Sequence, residues 1–183
     1  MNSDVILQTE RLTVHPFELT DGPLLRELHA DPLVDRHLVP GDRIGPDEDV
    51  AARLAAYVED QDHHGFSQWK LLDKNGAFVG RAGFTIFERT SEISLSICLK
   101  RSFRGLGFAA ELVPNLTDWF FDNTYYTHLI SFVAAGDATL RRTMEQKGYL
   151  LRERLVIDGS AFDCLQVLTP AIASRFPVMA EAS

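Results

Sequence analysis

The sequence predicts a mixed α/β fold in which helices flank a meander of strands. The chain has 183 residues, 45% of them hydrophobic and 24% charged, which suits one globular domain. Residues 91–99 alternate apolar and polar side chains, the period of a strand. Thr20–Pro23 pairs a capping oxygen with a proline ahead of an apolar stripe, as at a helix start. Lys74–Gly76 separates two strand-like segments in the manner of a tight turn.

The first half of the chain contains one predicted strand and two predicted helices before the meander. Residues 12–15 alternate in polarity and predict a short strand. The helix that starts at Thr20–Pro23 is predicted to end at Asp31–Pro32, because proline restricts the residue before it. Prolines and glycines make residues 35–45 a predicted loop. Acidic residues in its first turn favour a second helix over residues 46–62.

The second half predicts strands first and then an alternation of helices and strands. The predicted elements are strands at 66–73, 77–87 and 91–99, a helix that ends near Asn123, a strand at 129–134, a helix between Asp137 and Gly148, and a hairpin at 155–167. The hairpin prediction depends on Asp158–Gly159, a residue pair favoured in two-residue turns. The complete order is β α α β β β α β α β β.

Charge and composition argue against several classes of function. Lysine and arginine number 18 against 26 acidic residues, and the net charge of −8 argues against a nucleic-acid partner. No apolar run approaches the roughly 18 residues of a membrane span, and the start does not resemble a signal peptide, so we expect a cytoplasmic protein. Cys98 and Cys164 lack a redox or metal spacing and are expected to be reduced core thiols. His63 and His64 are adjacent, which does not suit one metal ion, so no metal site is predicted.

One segment has the features of an anion-binding loop. Residues Arg104–Ala109 read Arg-Gly-Leu-Gly-Phe-Ala and stand between a predicted strand and a predicted helix. The two glycines let backbone N–H groups converge and leave room for a ligand. The helix N-terminus adds about half a positive charge. Arg101 and Arg104 supply cationic groups at the rim.

The same segment fits the pattern Arg-x-x-Gly-x-Ala, and at this place in the chain it resembles the acyl-CoA pyrophosphate loop of the GNAT superfamily of N-acyltransferases. Other segments resemble the Rim-type branch, the ribosomal-protein N-terminal acetyltransferases and their relatives. These segments are Leu7–Leu12, Asp31–Pro32, the hairpin 69–84 with Val79–Gly80, and Glu145–Tyr149. The resemblance covers about residues 7–168. It implies one N-acetyltransferase domain over residues 1–183, with a loose tail at 169–183.

The resemblance implies a central, mostly antiparallel sheet of six to seven strands, flanked by about four helices. The strand that holds residues 94–99 would splay from the strand at 129–134, and the pantetheine arm of acetyl-CoA would lie in the gap. A backbone N–H of the first strand would polarise the thioester carbonyl. The residues implied to contact the cofactor are Ile97, Cys98, Leu99, Arg104, Gly105, Leu106, Gly107, Phe108, Ala109 and Asp137.

Four positions set this chain apart from the family pattern. Asp137 stands where the family usually has asparagine, and Leu140 where it often has serine. Met144 replaces a tyrosine that acts as general acid in many relatives. Pro114 lies inside the helix that follows the loop, at a cost of about 3 kcal/mol unless that helix kinks.

The implied catalytic residues are Glu92 and Ser94. Relatives often place a glutamate at the position of Ser94, and Glu92 lies two residues earlier on the same face of the strand. Glu92 is either the base, directly or through water, or a solvated carboxylate at the strand end. A lysine amine is only about 0.1% neutral near neutral pH, whereas an α-amine is about a quarter neutral. A site without an obvious base therefore favours an α-amine.

The sequence thus predicts an enzyme that moves an acetyl group from acetyl-CoA to the amine of a small molecule or peptide, such as an N-terminal α-amine. A non-catalytic acyl-CoA-binding protein of the same fold stays open. So does a dinucleotide-dependent oxidoreductase, because Gly105, Gly107 and Ala110 also fit a dinucleotide pattern. The identity of the acceptor and the formation of a homodimer are left open as well.

Overall fold

The computed structural model describes residues 5–46 and 48–175, which form one eight-stranded sheet with helices on both faces. The strands are β1 (Leu7–Gln8), β2 (Leu12–Pro16), β3 (Gln68–Asp73), β4 (Phe78–Phe87), β5 (Glu92–Leu99), β6 (His128–Ala134), β7 (Leu150–Ile157) and β8 (Ser160–Leu168). Their order across the sheet is β1-β2-β3-β4-β5-β6-β8-β7. Neighbouring strands are antiparallel except β5 and β6, which are parallel. The predicted mixed α/β fold with a mostly antiparallel sheet is confirmed.

Two groups of helices cover the two faces of the sheet. The helices are α1 (Gly22–His29), α2 (Pro32–Asp35), α3 (Val50–His64), α4 (Phe108–Asn123), α5 (Ala138–Lys147) and α6 (Pro170–Ala173). Leu116 of α4 and Met144 of α5 belong to a core cluster on one face. Leu25 of α1 and Leu54 of α3 belong to a second cluster on the other face. The sheet is therefore buried on both sides at its centre.

Strand β5 contributes to both clusters. Leu95 packs into the cluster on the α4 face, and Cys98 packs into the cluster on the α1 face. Ser94 and Ser96 lie on the same strand face as Cys98 and are buried as well. The alternation predicted for residues 91–99 is therefore correct, but its polar side faces the protein interior.

Strands β5 and β6 separate soon after they meet. Their ladder pairs Ser94 with Ile130. The N–H of Lys100 donates to the carbonyl of Val79 at 2.9 Å, so the backbone groups of even-numbered residues here point to β4. Those of odd-numbered residues point to β6, because neighbouring residues of a strand alternate. The backbone of Ile97 consequently faces the gap beyond the last pair.

The structure corrects the predicted number of elements. Residues 5–46 and 48–175 contain eight strands, where six to seven were predicted, and six α-helices, where about four were predicted. Strand β1 has two residues, too few to show an alternation, and helices α2 and α6 have four residues each. Strand β7 begins at Leu150, five positions before the predicted start at Leu155. The sequence did not predict its first half, because that half is exposed and charged and shows no apolar period.

Several predicted boundaries have a different local cause. Helix α1 follows Asp21, but the Asp21 carboxylate accepts from Lys70 and from the N–H of Glu18 instead of capping the helix. Asp31–Pro32 follows the end of α1 and also starts α2, since Asp31 accepts from the Leu33 N–H at 2.9 Å. The predicted loop at 35–45 contains a 3-10 turn at Pro40–Asp42.

Later boundaries agree with the predictions more closely. Asp49 caps α3, whose predicted start included Asp47, a residue outside the described part of the chain. Asp158 and Gly159 have φ angles of 48° and 78°, which fits the two positive φ values of a tight hairpin turn. Helix α4 ends at Asn123 as predicted. Of the predicted tail, residues 176–183 lie outside the described residues.

Candidate active site

A cavity of about 560 Å³ occupies the gap between β5 and β6; we call it the gap cavity. Its walls come from β5, the loop before α4, the first turns of α4 and α5, β6 and the segment around the 3-10 turn. Of the residues predicted for the site, it is lined by Ser94, Ile97, Leu99, Arg104, Gly105, Gly107, Phe108, Ala109 and Asp137. Glu92, Cys98 and Leu106 are not on its wall. Most of the predicted site residues therefore surround one cavity.

The glycine loop presents the start of α4 to this cavity. Gly105 and Gly107 have φ angles of 73° and 83°, the left-handed conformation that favours glycine. Gly107 caps α4 and provides no side-chain hydrogen bond to the helix. The first N–H groups of a helix lack intrahelical acceptors, so they are free to bind an anion here.

Arg11 is a residue of this loop region that the sequence reasoning missed. Its Nη1 donates to the carbonyl of Leu106 at 2.7 Å, and its Nε donates to Glu111 Oε2 at 2.7 Å. The guanidinium lies 4.4 Å from the ring centroid of Phe108. Arg11 belongs to the segment Leu7–Leu12 that carries part of the family resemblance, but nothing local in the sequence connects it to a loop about 95 residues away.

Arg104 is more constrained than a cation at the rim of a site. Its Nε donates to the carbonyl of Leu99 at 3.2 Å, and its two Nη atoms donate to the carbonyls of Leu33 and Val34 at 3.3 and 3.4 Å. The side chain thus joins the end of β5 and helix α2 to the glycine loop. Its charge remains on the wall of the gap cavity.

The exposed edge of β5 offers a short stretch of backbone to a ligand. The carbonyl of Leu95 accepts from Ser131 Oγ at 2.9 Å, and the carbonyl of Leu99 accepts from Arg104. Ile97 lies between these two residues and faces the gap. A ligand with amide groups could therefore pair with the backbone of Ile97 in the manner of a neighbouring strand.

Asp137 lines the cavity from the start of α5. Its Oδ1 accepts from the Leu140 N–H at 3.0 Å and caps the helix, which begins where the sequence predicted. Its Oδ2 lies 3.9 Å from His37 Nδ1. Burial and the nearby charge of Arg104 lower the pKa of His37, and Asp137 opposes them. Met144 is fully buried on the wall, and no tyrosine is among the described residues that line the cavity.

Glu92 has its own partners outside the cavity. Its Oε1 lies 2.8 Å from His128 Nε2 and 2.5 Å from Arg152 Nη1. Burial acts to raise the pKa of Glu92, but hydrogen bonds from Thr90, Arg152 and His128 outweigh it and leave the pKa below its usual value. A carboxylate held in this way is a poor proton acceptor, which argues against Glu92 as the base. That catalytic role stays a prediction.

Cys98 and Leu106 also point away from the cavity. Cys98 is buried among the helices of the α1 face, and burial raises the pKa of its thiol to about 11. Leu106 is 54% exposed, although its carbonyl binds Arg11. Both residues are adjacent in sequence to cavity residues, and strand and loop geometry turns their side chains elsewhere. Cys98 and Cys164 are free thiols, in line with the prediction.

Two further observations concern metals and membranes. Within residues 5–46 and 48–175, no group of three histidine, cysteine or acidic side chains is arranged to hold a metal ion. None of the helices in the described part of the chain has the length and apolar character needed to cross a membrane.

Comparison with known families now identifies this arrangement. The profile of the acetyltransferase (GNAT) domain matches residues 11–149. The chain belongs to the GNAT acetyltransferase family. The matched residues include the glycine loop, both strands that bound the gap, and the helix capped by Asp137. No match was found among curated protein sequences.

Solved structures of the family share the fold at low sequence identity. An acetyltransferase from Agrobacterium tumefaciens is 23% identical, with a TM-score of 0.70 over 89% of this chain and 94% of its own. Spermidine N-acetyltransferase from Vibrio cholerae, in complex with CoA and spermine, is 17% identical, with a TM-score of 0.70 over 86% and 95%. The Salmonella typhimurium enzyme that modifies the N-terminal serine of ribosomal protein L7/L12 is 12% identical, with a TM-score of 0.72 over 91% and 99%. At these identities the comparisons establish the fold.

Proposed function

We propose that the protein is an N-acetyltransferase that moves the acetyl group of acetyl-CoA to an amine. The observation that carries the proposal is the gap cavity, which joins the glycine loop at the start of α4 to the exposed edge of β5. The first of these suits a pyrophosphate and the second suits the amides of a pantetheine arm. The thioester would then lie farther along β5, toward Ser94.

The fit to a phosphate is supported by the conformation of Gly107. A Cβ added at this residue would lie 3.3 Å from Arg11 Nη2, and its φ angle of 83° disfavours any side chain. The loop backbone is therefore free of side-chain atoms where the N–H groups converge. Arg11 and Arg104 place two guanidinium groups next to the loop.

The proposed reaction is a direct transfer. The neutral amine attacks the thioester carbonyl carbon, the new C–N bond forms, and the C–S bond breaks with the electron pair leaving on the CoA thiolate. The amine nitrogen loses one proton to water or to a nearby carboxylate. A backbone N–H of β5 next to the thioester would stabilise the negative charge on the carbonyl oxygen.

We propose an α-amine, or another amine of low pKa, as the acceptor. The support is chemical: an α-amine needs no strong base near neutral pH, and Glu92 is held by Arg152 and His128. An N-terminal serine, which is an α-amine, is the acceptor of the Salmonella typhimurium relative, whereas the Vibrio cholerae relative is a spermidine N-acetyltransferase. An enzyme of this kind would show a kcat/KM that rises with pH toward an apparent pKa near 8 and then levels off.

A thiol-release assay with acetyl-CoA tests the proposal. The acceptors are short peptides with free and with blocked N-termini, free amino acids, polyamines and aminoglycosides. We expect stoichiometric release of CoA with at least one amine, and identification of the N-acetyl product by mass spectrometry. Binding of acetyl-CoA without turnover of any amine would instead identify an acyl-CoA-binding protein. Tight binding of a nicotinamide cofactor would indicate the oxidoreductase.

A further inference from the structure

A second cavity meets the gap cavity near the middle of β5; we call it the acidic cavity. It measures about 770 Å³ and lies between α3, the 3-10 turn at 40–42 and the ends of β4 and β5. Val39, Asp42, Ser94 and Phe132 line both cavities. A molecule in the acidic cavity could therefore reach the thioester position from the side opposite the glycine loop.

The lining of this second cavity carries an excess of negative charge. The charged residues on its wall are Asp42, Glu48, Asp49, Asp60, Glu88, Arg53 and Arg89. Arg53 forms an ion pair with Glu48 and donates to the carbonyls of Gly41 and Arg43, so these two charges cancel. Four acidic residues then remain on the wall against Arg89. The field in the cavity therefore favours positively charged ligands.

Asp42 is the carboxylate that links the two cavities. The residue is only 8% exposed, and the contact described for its carboxylate is Thr85 Oγ1 at 3.4 Å. Within the part of the chain that the structure describes, no cationic side chain lies within ion-pair distance of it. The nearby guanidinium of Arg81 attracts this carboxylate but donates to the Asp42 carbonyl, so a ligand cation would give the carboxylate its own direct partner.

A buried arginine, Arg81, fixes the backbone around Asp42. The guanidinium of Arg81, which is fully buried, donates to the Asp42 carbonyl, to Gln68 Oε1 at 2.7 Å and to His29 Nε2 at 3.2 Å. The Asp42 N–H donates to the Val39 carbonyl at 2.9 Å. The carboxylate is thus held at the junction by a rigid turn.

We propose that the acceptor is an amine with a second positive charge, that it enters through the acidic cavity, and that Asp42 binds its cationic nitrogen at the junction. This inference depends on the proposed acetyl transfer and narrows its substrate to dicationic amines. Two sources share that chemistry. A peptide whose N-terminal α-amine lies near a basic side chain agrees with the proposed acceptor of low pKa, whereas turnover of a free polyamine, whose amines have a lysine-like pKa, would overturn that preference.

Steady-state kinetics with matched acceptors test the inference on the full chain. Cadaverine is compared with pentylamine, and the peptide Ser-Gly-Lys amide with Ser-Gly-norleucine amide, because each pair differs by one charge at nearly constant size. We expect kcat/KM to be at least tenfold higher for the dication of a pair that is turned over. The pair with the higher turnover identifies the source.

Variants locate the effect. Asp42→Asn is expected to lower kcat/KM for the dication at least tenfold, and the exposed Glu88→Gln to raise its KM about threefold. Asp122→Asn, on the exposed side of α4, is the matched control and should change neither constant. Calorimetry with acetyl-CoA should give an unchanged Kd for Asp42→Asn, which also shows that this variant is folded.

The outcomes separate the two proposals. Equal kcat/KM for the members of each pair, or normal kinetics of Asp42→Asn, would overturn the dication inference and leave acetyl transfer standing. If no amine of either pair or of the wider panel were acetylated while acetyl-CoA bound normally, the proposed function itself would be wrong.

Discussion

Gly107 has the most restricted conformation at the centre of the proposed phosphate site. We predict that Gly107→Val weakens acetyl-CoA binding at least tenfold, because the branched side chain would occupy the anion space and press on Arg11. The left-handed backbone adds a folding cost of about 1–2 kcal/mol. Gly76→Val is the matched control, since Gly76 has a similar φ of 78° and open space around it. Calorimetry should show loss of affinity only in the Gly107 variant; equal affinity in both would contradict the phosphate assignment.

Glu92 offers a test of the catalytic prediction. We expect Glu92→Gln to lower kcat by less than about tenfold, since a true general base contributes about 10²–10⁴-fold. The physical reason is that its carboxylate is held by Arg152 and His128 away from the gap cavity. The measurement is kcat with a saturating amine, together with the Kd of acetyl-CoA. A loss of a hundredfold or more with unchanged Kd would assign the base to Glu92.

The protonation of His29 affects the free energy of unfolding of the protein. Its Nε2 accepts from Arg81 Nε, so the ring is neutral in the folded state, and burial together with the charge of Arg81 lowers its pKa to about 3. The unfolded chain takes up this proton first, so stability falls as the pH drops from about 6.5 toward 3. We predict that the His29 contribution falls by about 2 kcal/mol between roughly pH 7 and pH 5.

The check is urea unfolding of the native protein and of His29→Gln at both pH values. His29 Nδ1 lies 2.5 Å from Asp35 Oδ1. Glutamine keeps an acceptor for Arg81 and a donor for Asp35 but does not titrate in this range. The free energy of unfolding of the native protein should fall by about 2 kcal/mol more than that of the variant. Parallel losses in the two proteins would show that His29 is not the titrating group.

Residue roles were predictable where the decisive contact is local. Asp137 caps α5 through Leu140, three positions away. The loop glycines were identifiable because a turn with a positive φ angle favours glycine. Arg11, Asp42 and Arg81 were not, because their contacts join segments far apart in the chain. No short sequence pattern contains the distance between such segments.

At the scale of elements, α4 includes an internal proline yet is continuous from Phe108 to Asn123. We predict that Pro114→Ala raises the free energy of unfolding by about 1–3 kcal/mol, because alanine restores one backbone hydrogen bond and removes a steric clash. Pro32→Ala is the control, since Pro32 is the first residue of α2, where proline is preorganised and its loss should not stabilise. Urea unfolding of both variants gives the comparison; an unstable Pro114→Ala would mean that α4 needs a bend for its packing.

The sequence predicted the turn at Asp158–Gly159 and the end of α4 near Asn123 correctly, and it placed the start of α3 at residue 46, four positions before Val50. Element boundaries were missed where pairing with a neighbouring strand is the only cause. Strand β1 exists because Leu7 pairs with Val14, a tertiary fact without a local sequence period.

At the scale of the whole molecule, the gap leaves the centre of the sheet incompletely filled. We predict that acetyl-CoA at about a hundred times its Kd raises the free energy of unfolding by about 2.7 kcal/mol, since it binds the folded state alone. For a chain of this size the midpoint of thermal unfolding should rise by roughly 5–11 °C. Differential scanning calorimetry with and without acetyl-CoA measures this rise. At the same concentration Gly107→Val should show at most about half of this rise, because affinity at least tenfold weaker leaves no more than about 1.4 kcal/mol of stabilisation. An equal rise in that variant would place the cofactor elsewhere.

The separation of β5 from β6 also means that the sheet has three edges, two outside and one within. Exposed edges invite strand addition by other chains, which leads to aggregation. The outer edges are protected, because β1 has only two residues and β7 carries the charged run Arg152–Arg154. The inner edge is protected by a different device, since Ser131 and Arg104 occupy carbonyls on either side of Ile97. The stretch of free backbone at Ile97 is too short to pair with a strand of another chain. The protein can therefore keep an open sheet without promoting aggregation.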